Sequence, residues 1–336
     1  MDWPLPIRIL LWPLSLVFGL VVRYRTILYR SGVFRQKRLK GTVVSVGNIT
    51  VGGTGKTPMV LWLAEKFLSD GKSVAILSRG YRGQGGSSDE VELMRKRLGE
   101  RVRFGIGANR FEEGKALERT SPVDIFLLDD GFQHLKLARD LDIVMLDGSK
   151  KLKDEWLLPA GTLREPISSC SRADLLIVTR EFERPPIEAK DSHEHQIFYS
   201  QTRLLGFRKW KDGARERADV AYLSEIGPGP FFSFCGIGNP KGFADDLKRW
   251  HVPIVGGREF RDHHKYSAAD LALLENSASA QGAVGLITTE KDEQNLGGTP
   301  SKLPLYVAVI EFVMSSESEF VQAVDRVLGA RRRVAS

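Results

Sequence analysis

The sequence predicts an α/β protein with a parallel sheet of the P-loop NTPase type in its first half. Three observations predict it. Short β-branched or aliphatic runs (42–46, 73–78, 124–128, 142–147, 174–179) alternate with segments of helical period, the pattern of a doubly wound parallel sheet. A glycine-rich turn ending in Gly55-Lys56-Thr57 joins the first run to the first helix. The net charge of +7 is matched by residues 1–40 alone, which hold eight basic side chains and one acid, so the remaining 296 residues balance to zero.

The N-terminal segment comes first. Ile9–Val22 is a 14-residue uncharged run, short of the ~20 residues a spanning helix needs. Seven basic residues and no acid follow between Arg23 and Lys40. Trp3, Trp12, Tyr24 and Tyr29 are residue types of the lipid–water boundary. The segment predicts an interfacial helix with a polybasic flank on an anionic membrane. A secretory signal has its charges before the apolar run, the reverse of the order here. A helix buried against the domain is the competing reading. Because the excess charge is local, residues 41–336 carry no net positive charge, which disfavours nucleic-acid binding.

Thr42–Val46 reads as a buried strand, and the turn after it carries Gly47, Gly52, Gly53, Thr54 and Gly55. Backbone N–H groups of such a turn, with the following helix N-terminus, cradle phosphates. Lys56 reaches the β/γ-phosphates and the Thr57 hydroxyl ligates Mg²⁺ in that motif. Thr50 stands where the strict motif has its first glycine. Pro58 lies in the helix's first turn and Gly71 just past its end, as helix boundaries favour.

Gly83–Ser88 reads as a flexible linker by composition. Asp89, next to it, reads by itself as the N-cap of a helix over Val91–Leu98, or as a catalytic carboxylate on a loop. Asp129 and Asp130 end an apolar strand, the position of the Mg²⁺-side acid opposite a phosphate loop. Residues 181–195 and the stretch to Arg217 read as surface connections. A second α/β pattern starts near Phe231 and closes on a helix from Ser316 with a capping-box spacing to Glu319. His263 and His264 are adjacent, with no cysteine nearby, which disfavours zinc. Cys170 and Cys235 make no disulfide framework.

Several of these motifs occur in a fixed order: TVGGTGKTP, SRGY, SDE, DDGFQH, LLPAG-x-LREP, GIGNP, F-x-DHH and TEKD. With the apolar N-terminus, the series resembles the tetraacyldisaccharide 4′-kinases of lipid A synthesis over essentially the whole chain. The resemblance implies two α/β/α domains joined by a small β-linker: an N-terminal region 1–40, a kinase domain 41–195, a linker 196–230 and a second domain 231–336. It implies ATP and Mg²⁺ as cofactors, transfer of the γ-phosphate to the 4′-hydroxyl of tetraacyldisaccharide 1-phosphate, and a monomer on the cytoplasmic face of the inner membrane. Carried over by position, Gly52, Gly53, Thr54, Gly55, Lys56 and Thr57 serve the nucleotide with Gln133 and His134. Asp129, Asp130 and Glu165 join Thr57 on the metal side. Arg110 and Arg164 face a phosphate of nucleotide or lipid. Asp89 becomes the general base, tuned by His263. Those two fall in different domains on this division, so domain closure would bring them together. A GTPase switch and an ATP-dependent ligase are the alternatives, but Thr289-Glu290-Lys291-Asp292 lacks the spacing of a guanine-reading motif.

Overall fold

The computed structural model describes residues 4–80, 88–180, 196–210, 220–297 and 300–335. Residues 83–87 of the glycine linker, the connection 181–195, the stretch 211–217 and Trp3 lie outside the described residues. Two compact units emerge: residues 1–87, 97–201 and 312–336 in the first, and 88–96 with 202–311 in the second. Chain order does not map onto these units. The C-terminal helix returns to the first, and the short segment carrying Asp89 joins the second. Strands β7 (Gln196–Lys209) and β11 (Leu305–Met314) supply residues to both.

In the first unit, β1 (Thr42–Asn48) pairs in parallel with β4 (Ile125–Asp129) on one side and β5 (Leu141–Asp147) on the other. Outward from β4 lie β2 (Val74–Ser78) and β3 (Val102–Ile106); outward from β5 lie β6 (Leu175–Thr179) and the start of β7. Six residues of β1 are buried, the signature of a strand covered on both faces. The chain leaves β1 on the β4 side and later returns on the β5 side, so the strand order reverses at β1. The crevice at such a reversal, beyond the strands' carboxyl ends, is where open α/β sheets bind ligands. Helix α2 (Lys56–Ser69) buries Met59, Val60, Leu63, Ala64 and Phe67, the helical-period positions. One core packs Ile49, Phe132, Val144, Leu163 and Leu176. Another packs Val43, Leu77, Phe126 and Leu128.

Strand β3 and helix α4 (Arg110–Thr120) carry little apolar periodicity. β3 alternates with Arg103 and Gly105 and, among the described residues, pairs with β2 alone, so edge position, not burial, shapes its sequence. At the N-terminus, α1 runs Leu5–Arg30 through Pro13. At 26 residues it extends well past the uncharged run, and by length and composition it is able to cross a membrane. Most of its apolar side chains are exposed, Leu10 at 77% and Leu20 at 65%. One narrow face is fixed to the first unit. Arg8 lies over the Trp156 ring. Ser15 Oγ donates to the Leu157 carbonyl (2.9 Å) and accepts from Ala160 N–H (3.1 Å). Arg25 donates to the Gln133 carbonyl.

In the second unit, β11, β10 (Gly285–Thr289), β8 (Phe231–Cys235) and β9 (Ile254–Glu259) are parallel neighbours. Helix α3 (Asp89–Leu98) as far as Lys96, with α5 (Leu223–Ile226), α6 (Pro240–Arg249), α7 (Ala268–Ala280) and α8 (Glu290–Glu293), belongs to this unit, and α9 (Glu317–Ala335) to the first. The core of the second unit packs Phe232, Phe234, Leu274, Leu286 and Val307 on one side of its sheet and Phe207, Phe231 and Leu247 on the other.

Candidate functional site

The phosphate loop sits between β1 and α2. Gly55 caps α2 at φ +82°, a left-handed conformation that favours glycine. No side chain caps this helix and its first turn holds no acid, so the free N–H groups suit an anion. Asn48 Nδ2 donates to Thr54 Oγ1 (3.0 Å), tying the buried Thr54 to the end of β1. Val51 N–H donates to the Thr162 carbonyl (2.8 Å). Thr50, in place of the motif's glycine, is buried and bridges to Leu163, so a side chain here is accommodated by the 156–165 loop.

Gly47 has a different constraint. A Cβ there would come within 2.5 Å of Phe132 Cβ and 2.6 Å of Phe132 N. This close approach sets the 129–134 loop directly against β1. Asp130, at φ +49°, is met by Lys56 Nζ at 3.5 Å. Arg164 NH1 donates to both its oxygens at 2.9 Å. Burial pushes the Asp130 carboxyl up, and Lys56, Arg164 and Arg110 outweigh it, holding the group below its ordinary range. Ser78 Oγ donates to Asp129 Oδ2 (3.2 Å). Thr57 lies in the first turn of α2.

Gln133 Nε2 donates to the Asn48 carbonyl (2.9 Å) and to Glu165 Oε1 (3.2 Å). Arg110, buried at the start of α4, donates from NH1 toward His134 Nδ1 (3.4 Å). Burial and then Arg110 push His134 down to about 4, so its ring is neutral at physiological pH. Glu165 is buried and gripped at both oxygens by Arg172, at 2.6 and 3.1 Å. Arg172 is a site-neighbouring cation that sequence reasoning missed. It lies in a short 3₁₀ segment, Ile167–Arg172, without motif or periodicity to mark it. Among the described residues no group of three or more His, Cys, Asp and Glu is arranged to hold a metal by itself. Mg²⁺ takes few protein oxygens and completes its shell from water and phosphate, and Thr57 with Asp129 offers hard oxygens of that kind beside the loop. The residues present therefore fit a nucleotide triphosphate with Mg²⁺.

A second set of groups lies in the second unit. Asp89 opens α3 but does not cap it. Ser88 Oγ accepts from Val91 N–H (3.4 Å), which leaves the Asp89 side chain to other partners. His263 Nδ1 meets Asp89 Oδ2 at 2.9 Å, and Asn295 Nδ2 donates to the same oxygen at 2.7 Å. The expectation that Asp89 and His263 belong to separate domains is corrected here. The 88–96 segment is part of His263's own compact unit, so the pair is formed within one body. His263 stands at φ +62°. Its imidazole is raised above its ordinary value, chiefly by the hydrogen bond to Asp89. Burial pushes Asp89 up, but the bonds from His263 and Asn295 win and hold it low. Lys291 Nζ lies 2.9 Å from both Glu90 and Asp262.

The TEKD turn is thereby accounted for. Lys291 is spent on two carboxylates. Asp292 is fully buried, accepting from Gly236 N–H (2.7 Å), Tyr266 OH (2.8 Å) and Thr289 Oγ1 (2.6 Å). These groups build the frame beneath His263 instead of reading a base. His264 bonds Asp270 at 3.2 Å and stacks on Phe260, a packing role.

Comparison with known proteins agrees with this chemistry. The family model of tetraacyldisaccharide-1-P 4′-kinase matches residues 7–329. A tetraacyldisaccharide 4′-kinase of Geobacter metallireducens is 37% identical over 95% of this chain and 98% of its own. One from Desulfotalea psychrophila is 33% identical over 88% of this chain and 90% of its own. Among solved structures, the "apo" form of LpxK from Aquifex aeolicus in complex with ATP superposes with a TM-score of 0.74 at 28% identity, covering 96% of this chain and 99% of that one. A match that spans both units, phosphate loop and Asp89–His263 pair alike, leaves one assignment: the chain belongs to the tetraacyldisaccharide-1-P 4′-kinase family.

Proposed function

We propose that this protein transfers the γ-phosphate of ATP to the 4′-hydroxyl of tetraacyldisaccharide 1-phosphate. The observation that carries the proposal is the pairing, in one chain of this family, of a cation-rich phosphate loop with a hydrogen-bonded carboxylate–histidine pair. Phosphoryl transfer is chiefly positioning and charge stabilisation. The N-terminus of α2, Gly52, Gly53, Thr54 and Gly55 hold the phosphates, and Lys56 neutralises their oxygens. Thr57, Asp129 and Asp130 are the residues that hold Mg²⁺, with Glu165 steadying Gln133 behind them. Bound Mg²⁺ supplies charge neutralisation at the transferring oxygens. Arg164 and Arg110 orient a phosphate group. Asp89 takes the proton of the sugar hydroxyl as that oxygen bonds to the γ-phosphorus and the bond from phosphorus to the bridging oxygen breaks, releasing ADP, and His263 holds and tunes the carboxylate.

The lipid substrate fits α1. Its exposed apolar face and the basic residues after Val22 suit the cytoplasmic face of the inner membrane. Arg8, Ser15 and Arg25 fix it to its own domain along its length, which favours a helix lying in the interface over one that leaves to span the bilayer. All the residues invoked come from a single chain, so a monomer suffices. The test is direct: incubate the protein with labelled ATP, Mg²⁺ and the disaccharide 1-phosphate in detergent. A 4′-phosphorylated product is expected; its absence, with ATP bound, refutes the proposal.

A further inference from the structure

Asp89 Oδ2 is bonded twice, and one of the two donors lies outside every motif of the family series. Asn295 follows the TEKD turn. An ionised carboxylate only accepts hydrogen bonds, so the amide must present Nδ2 to it. The bond is short, 2.7 Å, against 2.9 Å from His263. Among the described residues, the hydrogen bonds to Asp89's side chain all fall on Oδ2.

We propose that Asn295 is a positioning residue for the proton acceptor: with His263 it fixes Asp89 Oδ2 and thereby leaves Oδ1 turned out to receive the hydroxyl proton. The inference rests on Asp89 being the base. It accounts for the frame beneath the pair. Asn295 N–H donates to the Asp292 carbonyl (2.8 Å), and the Asn295 carbonyl accepts from Tyr266 N–H (3.0 Å). Asp292 in turn holds Gly236 N–H (2.7 Å), while the Gly236 carbonyl accepts from His263 N–H (3.0 Å). Both donors to Asp89 therefore hang from one hydrogen-bonded frame, joined through the Asp292 carboxylate. The charged groups around Asp89 are His263, Lys291 and Glu90, with Asp262 beside His263 and Lys291. His263 changes charge with pH, but the Asn295 amide does not, so its bond supports the carboxylate across the working range.

The frame bonds of Asn295 are backbone bonds, so Asn295→Ala keeps them. Losing one hydrogen bond to a charged group raises the acidic limb of the kcat/KM profile by about one pH unit, and losing the fixed orientation of the carboxylate lowers kcat about tenfold at neutral pH, where Asp89 is still ionised. KM for ATP stays unchanged. Asn295→Asp cannot donate and adds a like charge, so its limb moves further up and its kcat falls further. Asp89→Asn is measured beside them, and adding Asn295→Ala to it costs no further activity, because Asn295 acts only through Asp89. An unmoved acidic limb in both Asn295 variants, whether kcat holds or falls, overturns the inference. An Asp89→Asn enzyme that keeps wild-type kcat overturns the reading of Asp89 itself, whatever Asn295 does.

Discussion

At the scale of single residues, the acid–base assignments follow from environment. His134 and His263 are the same residue type with opposite shifts. His134 is buried among arginines and lysine and stays neutral; His263 is bonded to a carboxylate and holds its proton more tightly. Only His263 is placed to stabilise an anion. Asp89 and Asp130 are both held below the ordinary carboxylate range, but by different partners: Asp130 lies between Lys56 and Arg164, and Asp89 bonds to a histidine and an amide. Removing the Asp89 carboxylate should therefore cost proton transfer and not nucleotide binding. Asp89→Ala is expected to lower kcat by about 10²-fold or more, the usual worth of a positioned general base, with ATP affinity unchanged by titration. A kcat near wild type excludes Asp89 as the base.

At the scale of elements, the phosphate loop works only because neighbouring loops approach it closely. Gly47 admits the Phe132 backbone against β1, and Arg164 N–H donates to the Ile49 carbonyl (2.7 Å). These contacts hold the 129–134 and 156–165 loops against the end of the strand that launches the loop. Gly47→Ala forces a backbone shift, since the nearest atoms are backbone and Cβ and not a flexible side-chain end. Overpacking of this kind costs roughly 1–3 kcal/mol. The expected outcome is a lower denaturation midpoint together with weaker ATP binding; stability lost with ATP affinity intact would mean that the loops are not coupled through Phe132. Sequence reading reached the strand, loop and helix here, and it identified Gly47 only as one of several turn glycines. It passed over β3 and α4, whose edge position leaves little apolar periodicity to read.

At the scale of the whole molecule, charge and apolar surface are sorted to one end of the chain. The excess of basic residues lies in the first 40 positions, and α1 leaves Leu10, Leu14, Val17, Leu20 and Val21 exposed. Each basic group near an anionic surface contributes about 1 kcal/mol of attraction, and the apolar face supplies the rest. Leu10→Glu with Leu20→Glu touches only exposed positions, so the fold should hold. Binding to anionic vesicles in a sedimentation assay should drop at least tenfold, and added salt should weaken wild-type binding. Unchanged vesicle binding by the double variant would sink the interfacial role of α1.

The sequence by itself determined the parallel α/β class, the phosphate loop, the strand-end aspartates and the charged apolar N-terminus. Each of these is a local pattern: a hydrophobic period, a glycine spacing, a run of charge. The ordered motifs also carried the family, because eight weak signals in one order constrain far more than any one. Tertiary structure decided what depends on distant segments meeting. It moved Asp89 from helix cap to partner of His263, 174 positions away, and put both in one compact unit. It found Arg172 behind Glu165 and Asn295 behind Asp89, neither marked by any motif. It gave Lys291 and Asp292 a supporting role. Hydrogen bonds across such separations leave no trace in local periodicity, since backbone geometry elsewhere in the fold sets which side chains come within reach.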